Sequence, residues 1–273
     1  MEFNWINTAF YGAGTLVAPL PRACRLDARF SYFLYLPKGF TQQRAADAKI
    51  CVAVHGTYRD AASLKNRFAA FADATGCVIL APLFPCGIGD RQDIHNYKFI
   101  AFQGIRFDAI VLDMVEDVRE SFAVAEERFA LYGFSGGGQF AHRFFYLHPQ
   151  RLLAAAIGAP GRASYLDNAA PWPGGTAGFA RQFGSAPVIT AMQAVPVGLF
   201  VGSDDTEQID CASEGGGAPD VKYGVNRLER TQALHKNYLA HGIHSTFTAV
   251  PNAAHEEDKI LPAAQQFLRA KLK

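Results

Sequence analysis

Apolar and helix-like stretches alternate along the chain, and the period of each predicts its structure. Residues 29–36 (RFSYFLYL) predict an early strand, stopped by Pro37-Lys38-Gly39. Residues 50–54 (ICVAV) and 77–81 (CVILA) are short, continuous apolar runs of the kind that form strands buried on both faces. Residues 62–74 between them predict a helix. Residues 108–122 place Ile110, Val111, Met114, Val115 and Val118 on one helical face. A strand at 128–132 (RFALY) runs into a glycine cluster, and a helix at 137–147 follows it. Further strands are predicted at 153–158, 196–201 and 244–250. Helices are predicted at 224–240, stopped by Gly242, and at 257–270.

Strands alternating with helices predict βαβ units, hence an α/β fold with a mainly parallel central sheet flanked by helices. No repeat or linker divides the 273 residues, so they are expected to form one domain, 1–273. Two stretches break the alternation. Residues 160–193 contain Pro171-Trp172-Pro173-Gly174-Gly175 and several aromatics, and residues 206–222 are rich in Gly, Asp and Glu. Both read as loop insertions near the site, and 160–193 is the candidate lid.

The glycine cluster is Gly133-Phe134-Ser135-Gly136-Gly137, a G-x-S-x-G motif between a predicted strand and a predicted helix. In that setting the serine sits on a tight, strained turn. Its hydroxyl projects from the C-terminal edge of the sheet at a helix N-terminus, where developing negative charge is favoured. A nucleophilic serine needs a base, and the base needs an orienting acid. The strand at 196–201 ends in Gly202-Ser203-Asp204-Asp205, and that at 244–250 ends in Pro251-Asn252-Ala253-Ala254-His255. The order Ser135, Asp, His255 is the one that an elbow of this type uses. Asp205, three residues after Gly202, is favoured as the acid, and Asp204 is the alternative. Two N–H donors are needed for a tetrahedral oxyanion. Gly136 supplies one, and Thr57, in the loop His55-Gly56-Thr57-Tyr58, is the candidate for the other. His55 precedes the serine and is read as structural, and His142 as a packing residue. His95, with Asp90 and Asp93, has no convincing ligand spacing, so no metal is expected.

These residues carry a resemblance. The H-G-T loop, the run Leu131-Tyr132-Gly133-Phe134-Ser135-Gly136-Gly137-Gly138-Gln139-Phe140-Ala141-His142-Arg143 and the end Val250-Pro251-Asn252-Ala253-Ala254-His255 resemble the poly(3-hydroxybutyrate) depolymerase-like esterases of the α/β-hydrolase superfamily. The resemblance extends from about residue 30 to the C-terminus. It implies the α/β-hydrolase fold, a Ser-His-Asp triad, no cofactor, and an ester or polymer substrate. Its members include polyester depolymerases, feruloyl and acetyl esterases, and hydrolases of polyamides such as poly(aspartic acid). Phe134 stands where relatives often have His or Trp, and Ala254 where Gly is common. Trp172, Tyr165 and Phe134 are the candidate substrate-binding residues.

Composition narrows the alternatives. Hydrophobic residues make up 49% and charged residues 19%, as in a globular chain, and a formal charge of +1 argues against a nucleic-acid partner. No apolar run reaches the ~20 residues that span a bilayer. The N-terminus shows no signal peptide, which places the chain in the cytoplasm as written, or outside it if the chain is a mature form. The five cysteines read as small buried hydrophobes, with a Cys86–Cys211 bridge left open. An amidase with the same triad and a non-catalytic binding module on the same scaffold are the competing functions.

Overall fold

The computed structural model describes residues 20–209 and 221–272. In chain order its strands and helices are β1 (Arg22–Ala23), β2 (Ser31–Tyr35), α1 (Gln42–Ala45), β3 (Ile50–Val54), α2 (Ala61–Arg67), α3 (Ala69–Thr75) and β4 (Val78–Leu83). Then come β5 (Ala101–Phe102), β6 (Ile105–Arg106), α4 (Phe107–Phe122), β7 (Phe129–Phe134), α5 (Gly136–Leu147) and β8 (Leu152–Gly158). The last are α6 (Phe179–Phe183), α7 (Ile189–Gln193), β9 (Val197–Gly202), α8 (Arg227–Ala240), β10 (Ser245–Val250) and α9 (Glu257–Lys271).

Eight strands form one sheet in the order β1-β2-β4-β3-β7-β8-β9-β10. From β4 to β10 every pairing is parallel, and β2 alone runs against both of its neighbours. The central strands read as unbroken apolar runs because each is covered on both faces. Ile50, Val52, Val54 and Leu131 face a core built with Met114 and Val115 of α4 and with Phe140 and Phe144 of α5. Their neighbours Cys51, Ala53, Ala130 and Tyr132 face a second core, built with Leu64, Phe68 and Phe71 and with Ile260, Ala264 and Leu268 of α9. Parallel strands deliver their C-terminal ends to one edge, where the loops after β3, β7, β9 and β10 meet.

The helix expected over 62–74 is two helices. Its ladder breaks at Phe68, whose N–H is shared between the carbonyls of Leu64 and Lys65 at 3.2 Å each. The Phe68 side chain is fully buried against Phe71 and Tyr132, so packing outweighs helical continuity there. Among the described residues no helix is long and apolar enough to cross a membrane. Cys24, Cys51, Cys77 and Cys86 carry free thiols, and Cys211, the other half of the open bridge, lies outside the described residues.

Candidate active site

Strand β7 turns into helix α5 at Ser135, which adopts φ 56° and ψ −115°. That backbone conformation costs a non-glycine residue roughly 1–3 kcal/mol and persists because its surroundings hold it. The turn is so tight that a Cβ on Gly133 would lie 2.1 Å from the Gly137 carbonyl oxygen, and one on Gly137 would lie 2.2 Å from that of Val54. The Ser135 N–H is fixed by the Gly158 carbonyl at 2.9 Å.

Strands β9 and β10 pair in register, Val197 opposite Ser245 through to Gly202 opposite Val250, so the loops that follow them leave side by side. The Ser203 and Asp204 amides bond the carbonyls of Val250 and Ala253 at 2.9 and 2.8 Å. This lacing brings Asp205 beneath His255. The Asp205 Oδ2 accepts from His255 Nδ1 at 2.8 Å, and His255 Nε2 lies 2.9 Å from Ser135 Oγ. Asp205 is almost fully buried, whereas Asp204 is exposed and accepts a hydrogen bond from the Ser203 hydroxyl. Of the two adjacent aspartates, the structure brings Asp205 to the histidine.

With proton-bearing Nδ1 on the carboxylate, His255 presents Nε2 as an acceptor to the serine hydroxyl, the arrangement a general base requires. Above the serine, Gly136 opens α5, so its N–H has no carbonyl to bond within the helix. Thr57 lies alongside: a Cβ on Gly136 would sit 3.1 Å from Thr57 Oγ1. His55 is buried beneath this loop. Its Nε2 accepts from the Phe84 N–H at 3.1 Å, which leaves the proton on Nδ1 for the Gly56 carbonyl at 2.8 Å. Burial pushes His55 down to about 3, so it is neutral at ordinary pH.

No protein-family model matches the chain, and no curated protein matches it by sequence. Solved structures match its fold. Poly(aspartic acid) hydrolase-1 from Sphingomonas sp. KT-1 superposes with a TM-score of 0.70 at 22% identity, over 87% of this chain and 92% of that one. LpqC, a poly(3-hydroxybutyrate) depolymerase from Bordetella parapertussis, gives 0.69 at 20% identity, over 93% and 88%. An S-formylglutathione hydrolase from Agrobacterium tumefaciens gives 0.60 at 13% identity, over 89% of each. The chain has the α/β-hydrolase fold. Within that fold, the G-x-S-x-G turn and the loops after β9 and β10 stand at the C-terminal sheet edge, as the sequence motifs imply.

The three expected substrate-binding residues have different surroundings. Phe134 is buried, and its ring stacks on the His255 imidazole with centroids 4.7 Å apart. Trp172 is half-buried, packed edge-on against Phe179 and Phe183. It also lines a cavity of about 460 Å³ with Asp90, Asp93, His95, Phe99 and Phe102. Buried Lys98 stands between His95 of the cavity wall and the elbow: its Nζ is 2.7 Å from His95 Nδ1, and its Cε would lie 2.9 Å from a Cβ on Gly136. Tyr165 does not line the cavity. It is buried, stacked on Tyr223 at 3.6 Å, and donates its hydroxyl to the Arg230 carbonyl, so it pins the 160–193 segment to α8.

That segment is fastened at several points. Ser164 takes Arg143 Nε on its hydroxyl at 2.9 Å and gives its N–H to His142 Nε2 at 2.9 Å. Lys222 and Tyr223 both donate to Asp167. His142 is fully buried, and burial beside Arg143 keeps it neutral. In the loop before β5, Asp90 and Asp93 accept backbone N–H groups of residues 92, 95 and 96, the habit of turn-forming aspartates. Among the described residues no group of three His, Cys, Asp or Glu side chains could hold a metal ion.

Proposed function

We propose that the protein is a serine hydrolase that cleaves carboxylic esters through an acyl-enzyme. The observation that carries this reading is the continuous chain Asp205–His255–Ser135, at 2.8 and 2.9 Å, ending on a serine held at positive φ. Ser135 Oγ attacks the ester carbonyl while His255 Nε2 takes its proton. The new C–O bond pushes the carbonyl electrons onto oxygen, and the N–H groups of Gly136 and Thr57 stabilise that charge. Collapse of the intermediate expels the alcohol, which receives the proton from His255. Water repeats the sequence on the acyl-enzyme and releases the acid. Asp205 holds the imidazole tautomer and balances the imidazolium throughout. No cofactor takes part.

Trp172 and the cavity beside it are the proposed wall of the substrate site, with the 160–193 segment as its cover. Phe134 acts by supporting the imidazole. A second reading, hydrolysis of a polyamide by the same groups, is favoured by the likeness to the poly(aspartic acid) hydrolase. His255 can protonate a leaving amine as readily as an alkoxide. The test is labelling by a fluorophosphonate probe, followed by a screen of p-nitrophenyl esters, polyesters and polyaspartate. Wild type should label and Ser135→Ala should not, with turnover lost by on the order of 10⁶-fold. Retention of more than a tenth of the activity in Ser135→Ala would remove the serine from the mechanism. Turnover of polyaspartate without turnover of any ester would select the second reading.

A further inference from the structure

One side chain at the site was not visible in the motifs. The buried Asp205 carboxylate uses Oδ2 for His255, and its Oδ1 faces Arg227 Nη1 at 3.3 Å. Arg227 is the first residue of α8, and the next residue, Leu228, gives its N–H to the Asp205 carbonyl oxygen at 3.2 Å. The start of α8 thus grips the aspartate at both its side chain and its backbone. The helix start is itself fixed, because the Asn226 side chain caps it by accepting the Glu229 N–H at 2.9 Å.

We propose that Arg227 is a positioning residue for the reaction: it locks the rotation of the Asp205 carboxylate and sets how strongly that carboxylate can favour a protonated His255. This rests on the serine-hydrolase reading above. A carboxylate free to rotate about its last bond could present either oxygen to the imidazole. With one oxygen on a guanidinium, only the other is available. The same positive charge offsets part of the aspartate's pull on the imidazolium. Removing it makes His255 hold its proton to higher pH, and a protonated His255 cannot act as base. Among the described residues, the acidic groups that flank the pair on its two loops are engaged or facing water. Asp204 and Glu207 are exposed on the acid loop, Glu256 is tied to Lys259 at 2.8 Å, and Glu257 is tied to Arg67 at 2.8 Å.

The test compares wild type, Arg227→Met, Arg227→Gln, Arg227→Lys and Ser135→Ala on a small p-nitrophenyl ester between pH 5 and 9. Both neutral variants should lose about tenfold or more in kcat, with KM within about twofold. In both, the acid limb of kcat/KM should move up by about half to one pH unit. Arg227→Lys keeps the charge and should leave the limb in place, while recovering only part of kcat because it lacks the planar fork. If Arg227 only stabilises the fold, the neutral variants melt earlier but their acid limb stays where it is. An unmoved limb in whichever neutral variant folds overturns the proposal. If Ser135→Ala remains active, the hydrolase reading itself fails, and the two failures are told apart.

Discussion

His55 offers a quantitative test of the ground beneath the oxyanion loop. It is fully buried, accepts the Phe84 N–H on Nε2 and faces the Gly56 carbonyl with Nδ1. A proton on Nε2 would set donor against donor, and burial adds the cost of a charge. The folded value of about 3 lies below the 6.5 of a free histidine. Stability from this residue is therefore complete above pH 6.5 and is lost as pH falls toward 3. Between pH 7.5 and 5 the unfolded state takes up a proton that the folded state refuses, which amounts to about 2 kcal/mol from His55 alone. Other groups titrate over the same interval, so the measurement is a difference of differences. Urea unfolding of wild type and His55→Asn at both pH values should show the variant weaker at pH 7.5. Its loss on acidification should be smaller than that of wild type by about 2 kcal/mol. Equal losses in the two proteins would mean that His55 is protonated in the fold, and the tautomer assigned to it would be wrong.

Two further outcomes bear on the site. Asp205→Asn should lower kcat by roughly 10⁴-fold, since the amide favours the wrong imidazole tautomer, while Asp204→Asn should change it by less than about tenfold; steady-state kinetics on one ester decides, and reversed effects would make Asp204 the acid. Trp172→Ala should raise KM for large hydrophobic or polymeric substrates and barely alter turnover of an acetyl ester. Equal losses on both, with a lower melting temperature, would make Trp172 a packing residue only.

The centre of the sheet was legible because its strands are buried on both faces and so stand out as apolar runs such as 50–54, which the structure reproduces residue for residue. The candidate site was legible where chemistry demands rare local patterns: a serine among glycines, and an acid and a histidine just past strand ends, which the structure brings within hydrogen-bonding distance. Pieces too short to show a period were not. The β5–β6 pair consists of two residues on each side of Gln103-Gly104, both at positive φ. Nor does sequence reveal a partner supplied from across the fold. Arg227 lies 22 residues beyond Asp205, inside a helix that reads as ordinary. Arg143 looks like a surface residue of α5 by type, yet it is fully buried, with its guanidinium spent on Ser164 and the carbonyls of Lys98 and Arg162. Tyr165, an aromatic of the inserted loop, is likewise stacked on Tyr223 inside the fold, a contact that no local pattern announces.

The sheet order has a consequence for how the protein comes into being. Among the described residues β10 is an edge strand, paired to β9, and in chain order it follows the other strands of the sheet. The turn bearing Ser135 belongs to the middle of the sheet, on a strand between β3 and β8, and precedes β9 and β10 in the chain. A chain that stops short of residue 255 thus carries the elbow serine without the histidine that would activate it. On the proposed mechanism, hydrolytic competence is acquired only once β10 and the loop bearing His255 are in place, so chains that lack them are chemically silent.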